Sequence, residues 1–131
     1  MNLFLIAIGG AFGSIARFLL IELVTKVTRY SNIFVSKIPW GTISVNVLGS
    51  ILAGALYCFL IKNFNQIDRQ LKDFALIGFL GGFTTFSTFS LDFFRLFSAD
   101  QYLYAFIYIF SSLLLAILGF FFGFYLTSLI S

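Results

Sequence analysis

Four apolar stretches, each about as long as a helix needs to cross a bilayer, take up nearly the whole chain: about Leu3–Val24, Trp40–Ile61, Phe74–Phe97 and Tyr102–Ile130. Hydrocarbon about 30 Å thick calls for roughly 20 apolar residues in a helix. Composition agrees where it decides something. Charged residues make up 10% of the 131, against about 25% in a soluble domain. A chain this short could not hide so much apolar surface in water, because small domains bury a smaller fraction of their area. The expected fold is an all-α membrane protein, a single four-helix transmembrane domain over residues 1–131 with spans at about 3–24, 40–61, 74–97 and 102–130.

Several classes fall away at once. No basic residue precedes the first apolar run and no small-residue cleavage site follows a short core, so that span reads as retained. The net charge of +3 is split between two connections, which leaves no one-faced basic patch for nucleic acid. Cys58 is the only cysteine and lies inside the second span, so it forms no internal disulfide and reads as a small buried hydrophobe.

The connections hold most of the charge: Lys26, Arg29 and Lys37 in the first, then Lys62, Asp68, Arg69, Lys72 and Asp73 in the second. Basic residues in short loops normally select the cytoplasmic side. Here Lys62, Arg69, Lys72 and the terminal amine face one side, and Lys26, Arg29, Lys37 and Arg95 the other. The orientation signal is close to a tie. It fits either a weakly specified single topology or a chain that inserts both ways. Four short helices enclose a pathway poorly, so assembly is expected. Small residues four apart offer surfaces for it: Gly9 with Gly13, Gly10 with Ser14, Ser50 with Gly54, and Gly119 with Gly123.

Polar residues inside the spans carry the functional signal. Arg17 lies about 10 Å of helix rise from the end of the first span. It either snorkels to the interface or gathers anions in a wet vestibule. Glu22 and Asp92 lie nearer span ends, and histidine is absent. Thr42, Asn46 and Ser50 share a face of the second span. The Asn46 amide must find partners in hydrocarbon, either on a neighbouring helix or in a pathway. In the third span, "GFLGGFTTFSTFSLD" combines glycines with hydroxyl side chains that bond their own backbone. Both weaken a helix. A break there would free backbone carbonyls, tolerated at membrane depth only when buried or lining a hydrated cavity, and such carbonyls are hard oxygen ligands suited to Na⁺. Phe83, Phe86 and Phe89 alternate with these hydroxyls. An aromatic edge is positive and can meet an anion. In the fourth span Tyr104, Tyr108 and Ser112 lie four apart on one face. A donor-rich interior of this kind suits an anion better than a proton relay.

These motifs, "GGAFGSIARF" at 9–18, "WGTISVNVLGS" at 40–50, "GFLGGFTTFSTFSLD" at 78–92 and "YIFSSLLLAILGFFFG" at 108–123, together resemble the small fluoride channels called Fluc, or CrcB-type proteins. The resemblance covers essentially the whole chain. It implies a fluoride-specific channel in the inner cell membrane that passively exports F⁻ from a microbial cytoplasm. It further implies an antiparallel, dual-topology homodimer whose third helices are broken mid-membrane, with two pores. One structural Na⁺ would be held through the backbone carbonyls of Gly81 and Thr84 from each chain. The pore residues it implies are Asn46, Phe86, Phe89, Tyr108 and Ser112, with Thr42 and Ser87 as neighbours and Arg17 in the vestibule. Gly81 and Gly82 would break the helix. Ala116 stands where some relatives carry a hydroxyl. The rival reading is a small four-helix, proton-coupled multidrug exporter, which needs a membrane-embedded acid. A non-conducting assembly subunit is the third.

Overall fold

A computed structural model describes residues 1–30, 37–62 and 69–130. Helix α1 (Leu3–Thr28) starts where the Asn2 side-chain carbonyl accepts from the Phe4 and Leu5 N–H groups at 3.2 and 3.4 Å. This cap satisfies donors that the first turn leaves orphaned. Helix α2 spans Trp40–Lys62. The third segment, α3, comprises Arg69–Leu71, a π-helical stretch Lys72–Leu80 and an α-helical turn Gly81–Phe83. After three non-helical residues the chain resumes as α4 (Ser87–Ser98), and α5 covers Tyr102–Ile130. Four segments, Leu3–Thr28, Trp40–Lys62, Arg69–Ser98 and Tyr102–Ile130, are long and apolar enough to cross a membrane. The chain is a multi-pass membrane protein.

The first and third segments run further than hydropathy alone suggests. At the end of α1 the polar last turn is supported by an i,i+4 ion pair, Lys26 to Glu22 at 2.7 Å. At the start of α3 the Asp73 carboxylate accepts from the Asn2 backbone N–H, which ties that turn to the foot of α1. Hydropathy marks what lipid solvates, whereas the helices continue into the polar boundary. Asp68, placed by sequence in the second connection, lies outside the described residues.

Two close helix pairs organise the rest. The first is α1 on α3, where a Cβ at Gly13 would strike the backbone of Phe79 and one at Gly78 would lie 2.8 Å from the Ile6 carbonyl. The second is α2 on α5, the most extensive contact, where Gly54 meets the Phe120 carbonyl and Gly123 meets that of Ile51. The small residues expected to serve assembly are thus largely spent inside the subunit, because close backbone approach is needed there first. Gly10 has its backbone against Gly82, but a Cβ of its own would meet nothing closer than 3.9 Å.

The core gathers between α2, α4 and α5: Ile38, Ile43, Phe89, Leu96, Ala105 and Tyr108 are buried together. The α4–α5 turn is closed by Gln101 N–H on the Leu96 carbonyl and Asp100 N–H on the Phe97 carbonyl, with Asp100 at φ 57°. That is the Schellman pattern with Asp in the left-handed position usually given to Gly.

Candidate functional site

The interruption of the third segment sets the geometry. Thr84 is extended, at φ −77° and ψ 157°, and helical bonding resumes at Ser87. Gly81 itself is helical, at φ −63° and ψ −36°, which corrects the expectation that Gly81 and Gly82 make the break. Gly82 is small for another reason: a Cβ there would sit 2.5 Å from the Gly10 carbonyl on α1.

In an uninterrupted helix each carbonyl accepts from the N–H four residues on. The Thr85 N–H would close on Gly81, but donates instead to Asn46 Oδ1 at 2.9 Å. The Thr88 N–H would close on Thr84, but donates to Thr85 Oγ1 at 3.1 Å. The carbonyls of Gly81 and Thr84, which the family resemblance implied as cation ligands, are among those whose helical donors bond elsewhere. Asn46 Nδ2 donates to the Thr85 carbonyl at 3.0 Å, so one amide grips both polar groups of a single residue. Arg17 Nη1 donates to the Thr84 carbonyl at 3.4 Å. Gly49 on α2 makes room for the bend, since a Cβ there would strike the Thr84 methyl.

Beside the break lies an open groove of about 480 Å³, lined by Asn46, Ser50, Gly81, Thr84, Thr85, Phe86, Phe89, Ser112 and Ala116 among others. Its aromatic wall runs from Phe86 to Phe89, centroids 5.3 Å apart, and on to Tyr108, 5.2 Å further. Phe89 and Tyr108 are buried, while Phe86 is 72% exposed. The Ser112 hydroxyl is buried and bonds no partner among the described residues.

A second polar centre sits further along α4. Asp92 accepts from the Thr42 hydroxyl at 2.6 Å and the Tyr108 hydroxyl at 3.5 Å, and Arg95 lies 3.6 Å away. It opens on a groove shared with Arg29, Lys37 and Thr88. The expected pore residues therefore divide. Asn46, Phe86, Phe89 and Ser112 line the first groove, Thr42 stands in the second, and Tyr108 joins them, its ring against Phe89 and its hydroxyl on Asp92. Ser87 is exposed, its hydroxyl 3.3 Å from that of Thr85.

Sequence reasoning passed over Thr85 and Asp92. Thr85 is a buried hub, its hydroxyl meeting Ser87 Oγ, Thr88 Oγ1 and Thr88 N–H. The spacing Thr85-x-x-Thr88, a hydroxyl three residues ahead of a helical turn, is a capping signal that was there to read. Asp92 was taken as an end-lying acid. It lies six residues from the end of the segment Arg69–Ser98 and is also a largely covered carboxylate, 13% exposed. Among the described residues no group of three or more His, Cys, Asp and Glu could hold a metal.

The family model described as "CrcB-like protein, Camphor Resistance (CrcB)" matches residues 4–124. Among similar proteins, the fluoride-specific ion channel FluC of Hahella chejuensis is 38% identical over 129 residues, covering 98% of this chain and 96% of its own. FluC 2 of Clostridium acetobutylicum is 40% identical over 129 residues, covering 98% and 100%. FluC of Campylobacter fetus subsp. fetus is 43% identical over 131 residues, covering 95% and 92%.

Proposed function

The chain belongs to the CrcB-like family, and from that premise we propose that it is a fluoride channel of the inner cell membrane, passively exporting F⁻ and so lowering its toxicity in the cytoplasm. It is not an enzyme. Fluoride is small and strongly hydrated, so its entry requires donors to replace water, and its exit requires that no site hold it too tightly. The observation that carries the reading is the Ser112 hydroxyl, buried, unpartnered and sharing a groove with Asn46, Phe86 and Phe89. A buried polar atom without a partner is costly. An ion or its water in that groove would supply one.

The finer reading is an antiparallel, dual-topology homodimer with two pores. Its support is the near-tie in loop charge and the large exposed ring of Phe86, which lines the groove and is left without cover within one subunit. A mid-membrane break is supported by the position of the interruption at 84–86, near the middle of the segment Arg69–Ser98. The carbonyls of Gly81 and Thr84 from each subunit would hold a structural Na⁺. Their diverted helical donors fit that use, four hard oxygens being a small but suitable set. Bound there, the cation would supply a fixed positive charge that lowers the cost of a nearby anion. Arg17, with its charge beside the same backbone, would add to the field at the vestibule.

The exporter reading gains one observation, since Asp92 is a largely covered acid tied to Thr42 and Tyr108. Fluoride efflux from proteoliposomes separates the two. Under an imposed voltage the channel passes F⁻ quickly at equal pH on both sides. Efflux that requires a pH gradient, or no efflux at all, removes the channel reading.

A further inference from the structure

We propose that Asn46 is a positioning residue for the cation site as well as a group in the anion groove: its amide keeps the Gly81 carbonyl open by taking the Thr85 N–H that would otherwise close on it. The inference rests on the cation reading above.

The geometry leads there in three steps. First, a freed carbonyl inside a membrane protein tends to recapture its own helical donor, because an unpaired backbone group in hydrocarbon costs several kcal/mol. Something must hold that donor away from Gly81. Second, the Thr85 N–H is held by Asn46 Oδ1 at 2.9 Å, and the Thr85 carbonyl by Asn46 Nδ2 at 3.0 Å. The pair is reciprocal, so a helix that healed at this point would leave both polar atoms of the amide without partners. Third, the amide presents an acceptor and a donor side by side, and its acceptor is the atom that holds the Thr85 N–H away from Gly81. Alanine presents neither, and a serine hydroxyl is too short to bridge both groups.

Asn46 also lines the groove that holds Ser112, Phe86 and Phe89. With Oδ1 and one N–H occupied by Thr85, its amide has a second N–H to offer. One side chain thus touches both ion environments, and a change there acts on each by a separate bond. That makes the two roles separable by substitution. Asn46→Ala loses both bonds. Asn46→Asp keeps an oxygen for the Thr85 N–H in either protonation state but has no amide N–H for an anion.

The experiment is a Na⁺ titration of the purified full-length protein in detergent, with N-methylglucamine as the replacement cation and thermal unfolding midpoint as the readout. Fluoride flux in proteoliposomes is measured alongside. In the unmodified protein the midpoint rises with Na⁺. In Asn46→Ala the half-saturating Na⁺ rises about 10-fold or more, the usual effect of removing a group that orients a ligand. In Asn46→Asp it stays within about twofold of the unmodified protein while flux is lost. A merely structural asparagine would lower the midpoint equally in both cations and leave the half-saturating Na⁺ alone. If Asn46→Ala does not fold, Asn46→Ser carries the same expectation. An Ala or Ser variant that titrates Na⁺ like the unmodified protein overturns the inference alone. An unmodified protein indifferent to Na⁺ removes the cation reading and this inference with it.

Discussion

The Ser111 hydroxyl donates back to the Ile107 carbonyl of its own helix at 2.6 Å, whereas its neighbour Ser112 keeps a buried hydroxyl with no partner among the described residues. The same residue type, one position apart, is spent locally in one case and held in reserve in the other. Ser112→Ala is therefore expected to cut fluoride flux about 10- to 100-fold, the equivalent of one hydrogen bond to a charged group. Ser111→Ala is expected to leave flux within about twofold, both measured in proteoliposomes. Arg17 carries a second residue-scale expectation. Its guanidinium is 3.4 Å from the Thr84 carbonyl, where its charge opposes a cation on that oxygen. Arg17→Gln should lower the half-saturating Na⁺ about fivefold or more, since about 1 kcal/mol of repulsion is lost even with strong screening. A thermal titration checks the sign, and an unchanged or raised value counts against the assignment. Which serine is free was not legible in sequence, because it depends on where α5 sits in contact with α4. The presence of four hydroxyls around Phe86 was.

Elements tell a similar story at larger grain. The spans themselves were readable to within a few residues, and the fragment "GGFTTFSTFS" announced a weak helix. Its break came later than the glycines suggested, at 84–86, because Gly81 and Gly82 stay helical and the tertiary grip of Asn46 and the local cap from Thr85 act on Thr85 and Thr88. Glycines four apart were read as surfaces between subunits, and in this chain most of them are places of contact within one. Gly13 shows it: an added methyl would drive into the Phe79 backbone, while the same methyl on Gly10 meets nothing closer than 3.9 Å. Gly13→Ala is expected to destabilise by about 1–3 kcal/mol through overpacking. Gly10→Ala should change stability by no more than about 0.5 kcal/mol. Comparing the two by unfolding in detergent tests whether α1 and α3 touch where described.

For the whole molecule the testable proposal is the antiparallel pairing of two copies. Loop charge offers each orientation nearly equal reason, and Ala99 in the exposed α4–α5 turn provides a handle. With Ala99→Cys in intact cells, an impermeant maleimide should label about half of the protein, because antiparallel insertion sends that turn to both sides. Labelling of all or none would mean a single topology. Cys58 is buried, 2% exposed, and stays silent in the assay. What the sequence by itself determined was everything that hydropathy and local bonding control: four spans, an all-α membrane fold, a third span unable to remain an ordinary helix, and a set of neutral donors in lipid. Only the tertiary structure decided which carbonyls lose their helical donors, which hydroxyl stays unpaired, and that Asp92 joins Thr42 and Tyr108. Those outcomes depend on partners far apart in the chain, as Asn46 is from Thr85, and no local pattern encodes a contact between residues that meet only when helices pack.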